Sequence, residues 1–228
     1  MIAARVPASV RYVAQAATRK VAAAVLWLAL VALTAPLTTP PAAAETLRLV
    51  ALGDSLTHGY GLAQDEGFVP QLQRWLAGQG ADVEVVNMGV SGDTTAGGRA
   101  RLDWALADGA DAVIVELGGN DLLRGIDPAT SRANLDAMLA DLGRREIPVL
   151  LAGLEAPLNY GPDYKAAFES MYADLAAAHG AILYRSFLQG VGPAMMQPDG
   201  IHPDADGVAL IVEAIGPAVL ALLERAGS

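Results

Sequence analysis

A chain of 228 residues has room for one domain with a full hydrophobic core or two small ones, and 53% apolar residues exclude disorder. Fifteen basic residues against 25 acidic ones give a net charge of −10, a surface that repels nucleic acid and anionic lipid headgroups at long range. The absence of cysteine removes disulfides, thiolate metal sites and a cysteine nucleophile together.

Residues 1–44 contain Arg5, Arg11, Arg19 and Lys20 and no acidic residue. They run from this basic stretch into an apolar segment at 21–35, a Pro/Thr-rich patch and Ala42-Ala43-Ala44. That order is the grammar of a secretory signal peptide, with cleavage expected after Ala44. The apolar segment is shorter than the roughly 20 residues that span a bilayer as a helix, although an uncleaved anchor is the competing reading. We therefore expect a leader at 1–44 and a working domain at 45–228, exported to the periplasm or beyond, monomeric and without stable membrane insertion.

From residue 46 onward, short apolar runs alternate with longer stretches of helical period. Runs at 47–52, 83–86, 112–117, 149–154 and 181–184 have strand length, and only Arg48, Glu84 and Glu116 interrupt them. Apolar runs without strict alternation are the pattern of strands buried on both faces. Between them, helices are predicted at 68–79, 96–107, 128–145, 164–179 and 204–225. Five strands alternating with five helices imply an α/β domain with a five-stranded parallel sheet between two helical layers, flavodoxin-like in character.

In such a sheet, ligands bind beyond the carboxyl ends of the strands. Those ends read Gly53-Asp54-Ser55-Leu56, Asn87-Met88-Gly89-Val90-Ser91-Gly92-Asp93, Gly118-Gly119-Asn120-Asp121 and Glu155-Ala156-Pro157-Leu158-Asn159-Tyr160. After the fifth strand comes Asp199-Gly200-Ile201-His202-Pro203. Small polar residues and glycines thus converge on one edge.

Acyl transfer through a serine needs a hydroxyl, a base, a group that orients the base, and donors for the oxyanion. Three histidines are available as the base. His179 ends a predicted helix, where the dipole favours an imidazolium. His58 stands only three residues from Ser55, too near for ordinary local geometry to reach its hydroxyl. His202 lies in a Gly- and Pro-bounded loop, and Asp199, three residues upstream across a glycine, can fix its tautomer. Ser55 alone would read as a helix N-cap, but Gly53 permits a sharp turn that presents its hydroxyl. Gly92 and Asn120 offer a backbone N–H and a side-chain amide at neighbouring strand ends, although a turn glycine and a turn asparagine are common.

Taken in order, Gly53-Asp54-Ser55-Leu56, Ser91-Gly92-Asp93, Gly118-Gly119-Asn120-Asp121 and Asp199-x-x-His202 resemble the four sequence blocks of the GDSL, or SGNH, hydrolases. The likeness covers residues 47–221 and is strongest to the bacterial branch of acyl-CoA thioesterase I, lysophospholipase and arylesterase enzymes. It implies the SGNH hydrolase fold and a carboxylic ester hydrolase with no metal or organic cofactor. Ser55 would be the nucleophile, His202 the general base and then acid, and Asp199 its orienter. The oxyanion hole would comprise the Ser55 and Gly92 N–H groups and the Asn120 amide, with Gly89 the near competitor of Gly92. Asp54, Asn87 and Asp93 would support loops. Segments 121–125 and 154–160, including Leu154, Ala156 and Asn159, would rim the acyl pocket.

The expected substrate is a small-molecule or lipid acyl ester, with no nucleic-acid partner. Outside the cytoplasm acyl-CoA is scarce, which favours aryl esters, short-chain esters or lysophospholipids. A carbohydrate O-acetyl esterase is the rival within the class, and an aromatic content of 5% argues mildly against its sugar groove. A non-catalytic binding protein on the same fold is the rival outside it, and the retained Ser55, Asn120 and His202 speak against it.

Overall fold

The computed structural model describes residues 46–227, and the expected leader at 1–44 lies outside them. Five strands form the sheet: β1 (Leu47–Gly53), β2 (Val83–Gly89), β3 (Ala112–Glu116), β4 (Val149–Ala152) and β5 (Ile182–Tyr184). All neighbours pair in parallel, in the order β2-β1-β3-β4-β5. The order reverses between β1 and β3, the switch point at which open α/β sheets bind ligands.

The helices are α1 (Ser55–His58), α2 (Phe68–Gly78), α3 (Thr95–Ala100), α4 (Leu102–Ala105), α5 (Gly119–Leu123), α6 (Pro128–Arg144), α7 (Pro162–His179) and α8 (Ala205–Ala226). Two of the long helices, α6 and α8, start at an aspartate side-chain cap. Asp127 accepts from the Ala129 N–H ahead of Pro128, and Asp204 accepts from the Gly207 N–H ahead of α8. Helix α8 packs on α2 and on four of the strands, and α6 packs on α3 and α7. At Gly216 a Cβ would stand 2.5 Å from the Trp75 ring, so glycine lets α8 and α2 approach closely.

By length and composition α8 is apolar enough to cross a membrane, with a mean hydropathy of 1.9 over its most apolar 18 residues. In the fold, its Val208, Ile211, Val212, Ile215, Val219, Leu222 and Leu223 are buried, at the spacing of one helical face. Each such burial contributes about 1.5–3 kcal/mol. Strand β3 is buried along its whole length, as are the last five residues of β1.

Three departures from the sequence reading bear on the site. The stretch predicted as one helix at 96–107 is two, broken at Arg101 (φ −109°, ψ 11°). Arg101 turns its guanidinium onto Asp93 at 2.5 Å and the Gly53 carbonyl at 2.8 Å. Strand β4 ends at Ala152, and the chain then peels away toward the site while Gly153 still bonds Tyr184 and Phe187. Two helices of four and five residues, α1 and α5, follow β1 and β3 directly.

Candidate active site

Gly53 closes β1 under tight packing. A Cβ there would stand 1.9 Å from Thr57 Oγ1 and 2.9 Å from the Glu116 carbonyl oxygen, so only glycine allows the turn into α1. Asp54 caps that helix, accepting from the Leu56 N–H at 3.0 Å. Ser55 is its first residue, and Gly59 ends it in the left-handed region at φ +86°.

The loop after β5 brings His202 to Ser55. His202 Nε2 lies 2.8 Å from Ser55 Oγ, and His202 Nδ1 lies 2.6 Å from Asp199 Oδ2. The other carboxylate oxygen of Asp199 accepts from the backbone N–H groups of Ile201 and His202, at 2.9 and 3.0 Å. Hydrogen bonds from the His202 N–H, the His202 ring and the Ile201 N–H hold its carboxyl down to about 2, well below the usual 3.8. An ionised aspartate at Nδ1 favours the tautomer that leaves Nε2 free to accept a proton from Ser55.

Asn120 is the second residue of α5, which follows Gly118, whose φ of +125° and closeness to the Tyr172 hydroxyl exclude a side chain. The Asn120 amide donates to Asp54 Oδ2 at 3.0 Å. One hydrogen of its NH₂ is therefore anchored on Asp54 and the other is left for a ligand. Gly92 stands in the loop between β2 and α3 at φ +87°, with its carbonyl held by Arg124 at 2.7 Å. No protein acceptor engages the Gly92 N–H among the described residues. Gly89 differs, since its N–H donates to Asn87 Oδ1 at 2.9 Å and a Cβ there would meet the His58 backbone at 2.3 Å. Gly89 is thus a packing glycine. Asp93 holds Arg101 and Asn87 holds Gly89, so both act on loops.

Beneath this edge lies a feature the sequence reading did not assign. Glu116 ends β3 fully buried, directly across from Gly53 in the sheet. Thr57 Oγ1 donates to its Oε2 at 2.9 Å, while Oε1 is buried without a partner among the described residues. Burial, and then the charge of nearby Asp54, push the Glu116 carboxyl well above its ordinary range. Burial likewise raises Asp54 from 3.8 to about 6, against the lowering effect of the Leu56 and Asn120 hydrogen bonds.

A cavity of about 340 Å³ has Ser55, Asn120 and His202 in its wall. The rest is mainly apolar: Leu56, Leu122, Leu123, Leu154, Leu188, Met196 and Ile201, with Glu155 and Asn159 among the polar members. Of the expected pocket residues, Leu154 and Asn159 line this cavity. Ala156 does not line the cavity. Its N–H donates to Glu169 and its carbonyl accepts from Lys165, which turns it into the fold, almost fully buried. Gly92 is also outside the cavity wall. Leu188 and Met196 are wall residues that sequence reasoning missed.

The other histidines stand elsewhere. His58 Nδ1 contacts Ser91 Oγ at 3.2 Å, and His179 pairs with Asp136 at 2.7 Å at the C-terminus of α7. Among the described residues, no three His, Asp or Glu side chains converge to hold a metal ion.

A model of the GDSL-like lipase/acylhydrolase family matches residues 51–210. The chain belongs to that family. Esterase TesA of Pseudomonas aeruginosa is 45% identical over 190 residues, covering 82% of this chain and 94% of that protein. The arylesterase of Vibrio mimicus is 36% identical over 169 residues, with 73% and 84% covered. Thioesterase 1/protease 1/lysophospholipase L1 of Escherichia coli is 38% identical over 181 residues, with 78% and 84% covered. Among solved structures, AlinE4, an SGNH-hydrolase family esterase, superposes with a TM-score of 0.67 at 42% identity, covering 79% of this chain and 98% of its own. The fold is therefore the three-layer SGNH hydrolase fold, and the chain is a carboxylic ester hydrolase acting on small-molecule or lipid esters.

Proposed function

We propose that this chain is an exported serine esterase that cleaves aryl, short-chain acyl or lysophospholipid esters, and acyl thioesters, through an acyl-enzyme on Ser55. One observation carries the reading: the unbroken hydrogen-bond relay from Asp199 through His202 to Ser55, opening on an apolar cavity. In the first half-reaction Ser55 Oγ attacks the ester carbonyl carbon as His202 Nε2 takes its proton. The oxyanion is received by the Ser55 and Gly92 N–H groups and the free hydrogen of the Asn120 amide. The tetrahedral adduct collapses, and His202 returns the proton to the departing alcohol or thiol. Water, deprotonated by His202, then releases the acid and restores Ser55.

The leucine-rich wall supports an acyl chain rather than a sugar ring as the group held beside Ser55. The names of the relatives, which span esterase, arylesterase, thioesterase and lysophospholipase, support the same breadth here. Purified protein should hydrolyse p-nitrophenyl butyrate, and Ser55→Ala should reduce kcat by roughly 10⁴-fold or more. Wild-type turnover in Ser55→Ala would remove the nucleophile assignment. For export, N-terminal sequencing of the mature protein should begin at Glu45, and an intact N-terminus in the membrane pellet would replace the leader with an anchor.

A further inference from the structure

The loop that carries Asp199 and His202 is a hairpin closed on itself. Met196 and Pro203 pair antiparallel, the Gln197 N–H donates to the His202 carbonyl at 2.8 Å, and the Asp204 N–H donates to Met195 at 2.9 Å. The Gly200 N–H donates to the Gln197 carbonyl at 2.9 Å. These bonds set the shape of the hairpin without setting its distance from Ser55.

The side chain of Gln197 spans that gap. Its Nε2 donates to the Pro203 carbonyl at 2.9 Å, within the hairpin, and to the Tyr60 carbonyl at 2.8 Å, on the segment leaving α1. Two carbonyl acceptors use both amide hydrogens, which also fixes which end of the amide faces them. Its Oε1 fills the space beside Gly61, where a Cβ would come within 2.2 Å. Tyr60 is itself tied to the nucleophile, since its N–H donates to the Ser55 carbonyl at 3.1 Å. Its ring lies on the His202 imidazole, with centroids 4.7 Å apart and planes tilted by 38°. Apart from the Ser55–His202 contact, the Gln197–Tyr60 bond is the one hydrogen bond joining residues 193–204 to residues 54–62 among the described residues.

We propose that Gln197 and Tyr60 are positioning residues for His202. The Gln197 amide fixes the spacing between the base-bearing hairpin and the nucleophile segment, and the Tyr60 ring holds the imidazole at the angle that faces Ser55. The proposal rests on the roles given above to Ser55 and His202. Neither residue lines the cavity, so both act on the reacting geometry and leave acyl binding alone. A misplacement of about 1 Å between reacting groups reduces rate by about 10²-fold.

The test is steady-state hydrolysis of p-nitrophenyl butyrate by the whole protein carrying Gln197→Glu, Gln197→Met, Tyr60→Ala or Tyr60→Phe, with thermal unfolding followed in parallel. Gln197→Glu sets a carboxylate against two carbonyl oxygens, and kcat should fall by about 10²-fold with KM within about twofold of wild type. Gln197→Met removes the tie without repulsion and should lose about tenfold in kcat by the same reasoning. Tyr60→Ala should lose about tenfold, and Tyr60→Phe, which keeps ring and carbonyl, should restore wild-type kcat. Should Gln197→Glu fail to fold, Gln197→Met and Tyr60→Ala carry the decision on the same split of kcat from KM. Unchanged kcat in folded Gln197 variants overturns the proposal, as does a rise in KM matching the loss, or a Tyr60→Phe as slow as Tyr60→Ala. Ser55→Ala and His202→Ala run alongside: activity in either means the underlying site reading has failed, which is separate from failure of the positioning roles.

Discussion

The hairpin of residues 193–204 and the strand ends around Ser55 each contribute an aspartate to the site, and their surroundings push the two carboxyl groups in opposite directions. Asp199 sits on the hairpin with 35% of its side chain exposed, and local hydrogen bonds hold it down to about 2. Asp54 is 1% exposed, and burial lifts it to about 6 despite two donors. Asp199, the aspartate that faces His202, therefore stays ionised down to acid pH. The one that anchors Asn120 titrates close to neutrality, with buried Glu116 beside it. The Asp199–His202 side of the site is thus insulated from pH by hydrogen bonds, whereas the Asp54–Asn120 side is sensitised by desolvation.

The largest effect expected from this contrast is at Asp199. In Asp199→Asn the side-chain oxygen can still accept from the Ile201 and His202 backbones, but an NH₂ then faces His202 Nδ1. That favours the tautomer with its proton on Nε2, unable to accept from Ser55, and kcat should fall by roughly 10⁴-fold at unchanged fold. A loss under tenfold would mean that Asp199 does not govern the tautomer. On the Asp54–Asn120 side, Asn120→Ala should reduce kcat by about 10²–10³-fold with little change in KM. A KM effect of that size instead would place Asn120 in substrate binding.

Much of this contrast could be read from the chain, and the parts that could not were either too short to show a period or set by partners outside the local pattern. The five apolar runs located the strands, since buried parallel strands advertise themselves by composition, and Asp199-x-x-His202 is a local pair whose geometry follows from its spacing. Helices α1 and α5 were not foreseen because four or five residues display no period. Yet they carry Ser55 and Asn120. The break at Arg101 depends on a carbonyl 48 residues away, at Gly53. Glu116 was visible as the one charge in the run that became β3, but its partner Thr57 lies 59 residues distant. Gln197 reaches across 137 residues to a backbone carbonyl, which no side-chain pattern marks. Ala156 sat in the right segment and faced the wrong way because Glu169 and Lys165 capture its backbone. Local pairs were legible, and bonds to distant side chains and backbone groups were not.

The smallest predicted effect is at Asp54. The folded chain holds Asp54 at about 6 where an unfolded chain holds an aspartate near 3.8. Below 3.8 both states are protonated and nothing is lost. As pH rises from there to about 6, the unfolded chain releases a proton that the folded chain retains, so stability declines. Above that window the full penalty, on the order of 3 kcal/mol, is in place. Asp199 acts outside this window and with opposite sign: its stabilisation is present above 3.8 and is lost as pH falls toward about 2. Asp54→Asn removes the ionisation, so its unfolding temperature should depend less on pH between 4 and 7 than that of the wild type. The same change sets a second amide against Asn120 and takes away its acceptor, so kcat should drop by about tenfold, less than removal of the donor itself. The two readouts separate cleanly. Parallel stability curves would show that Asp54 carries no buried charge, whereas a flattened curve with unchanged kcat would show that Asn120 holds its place without Asp54.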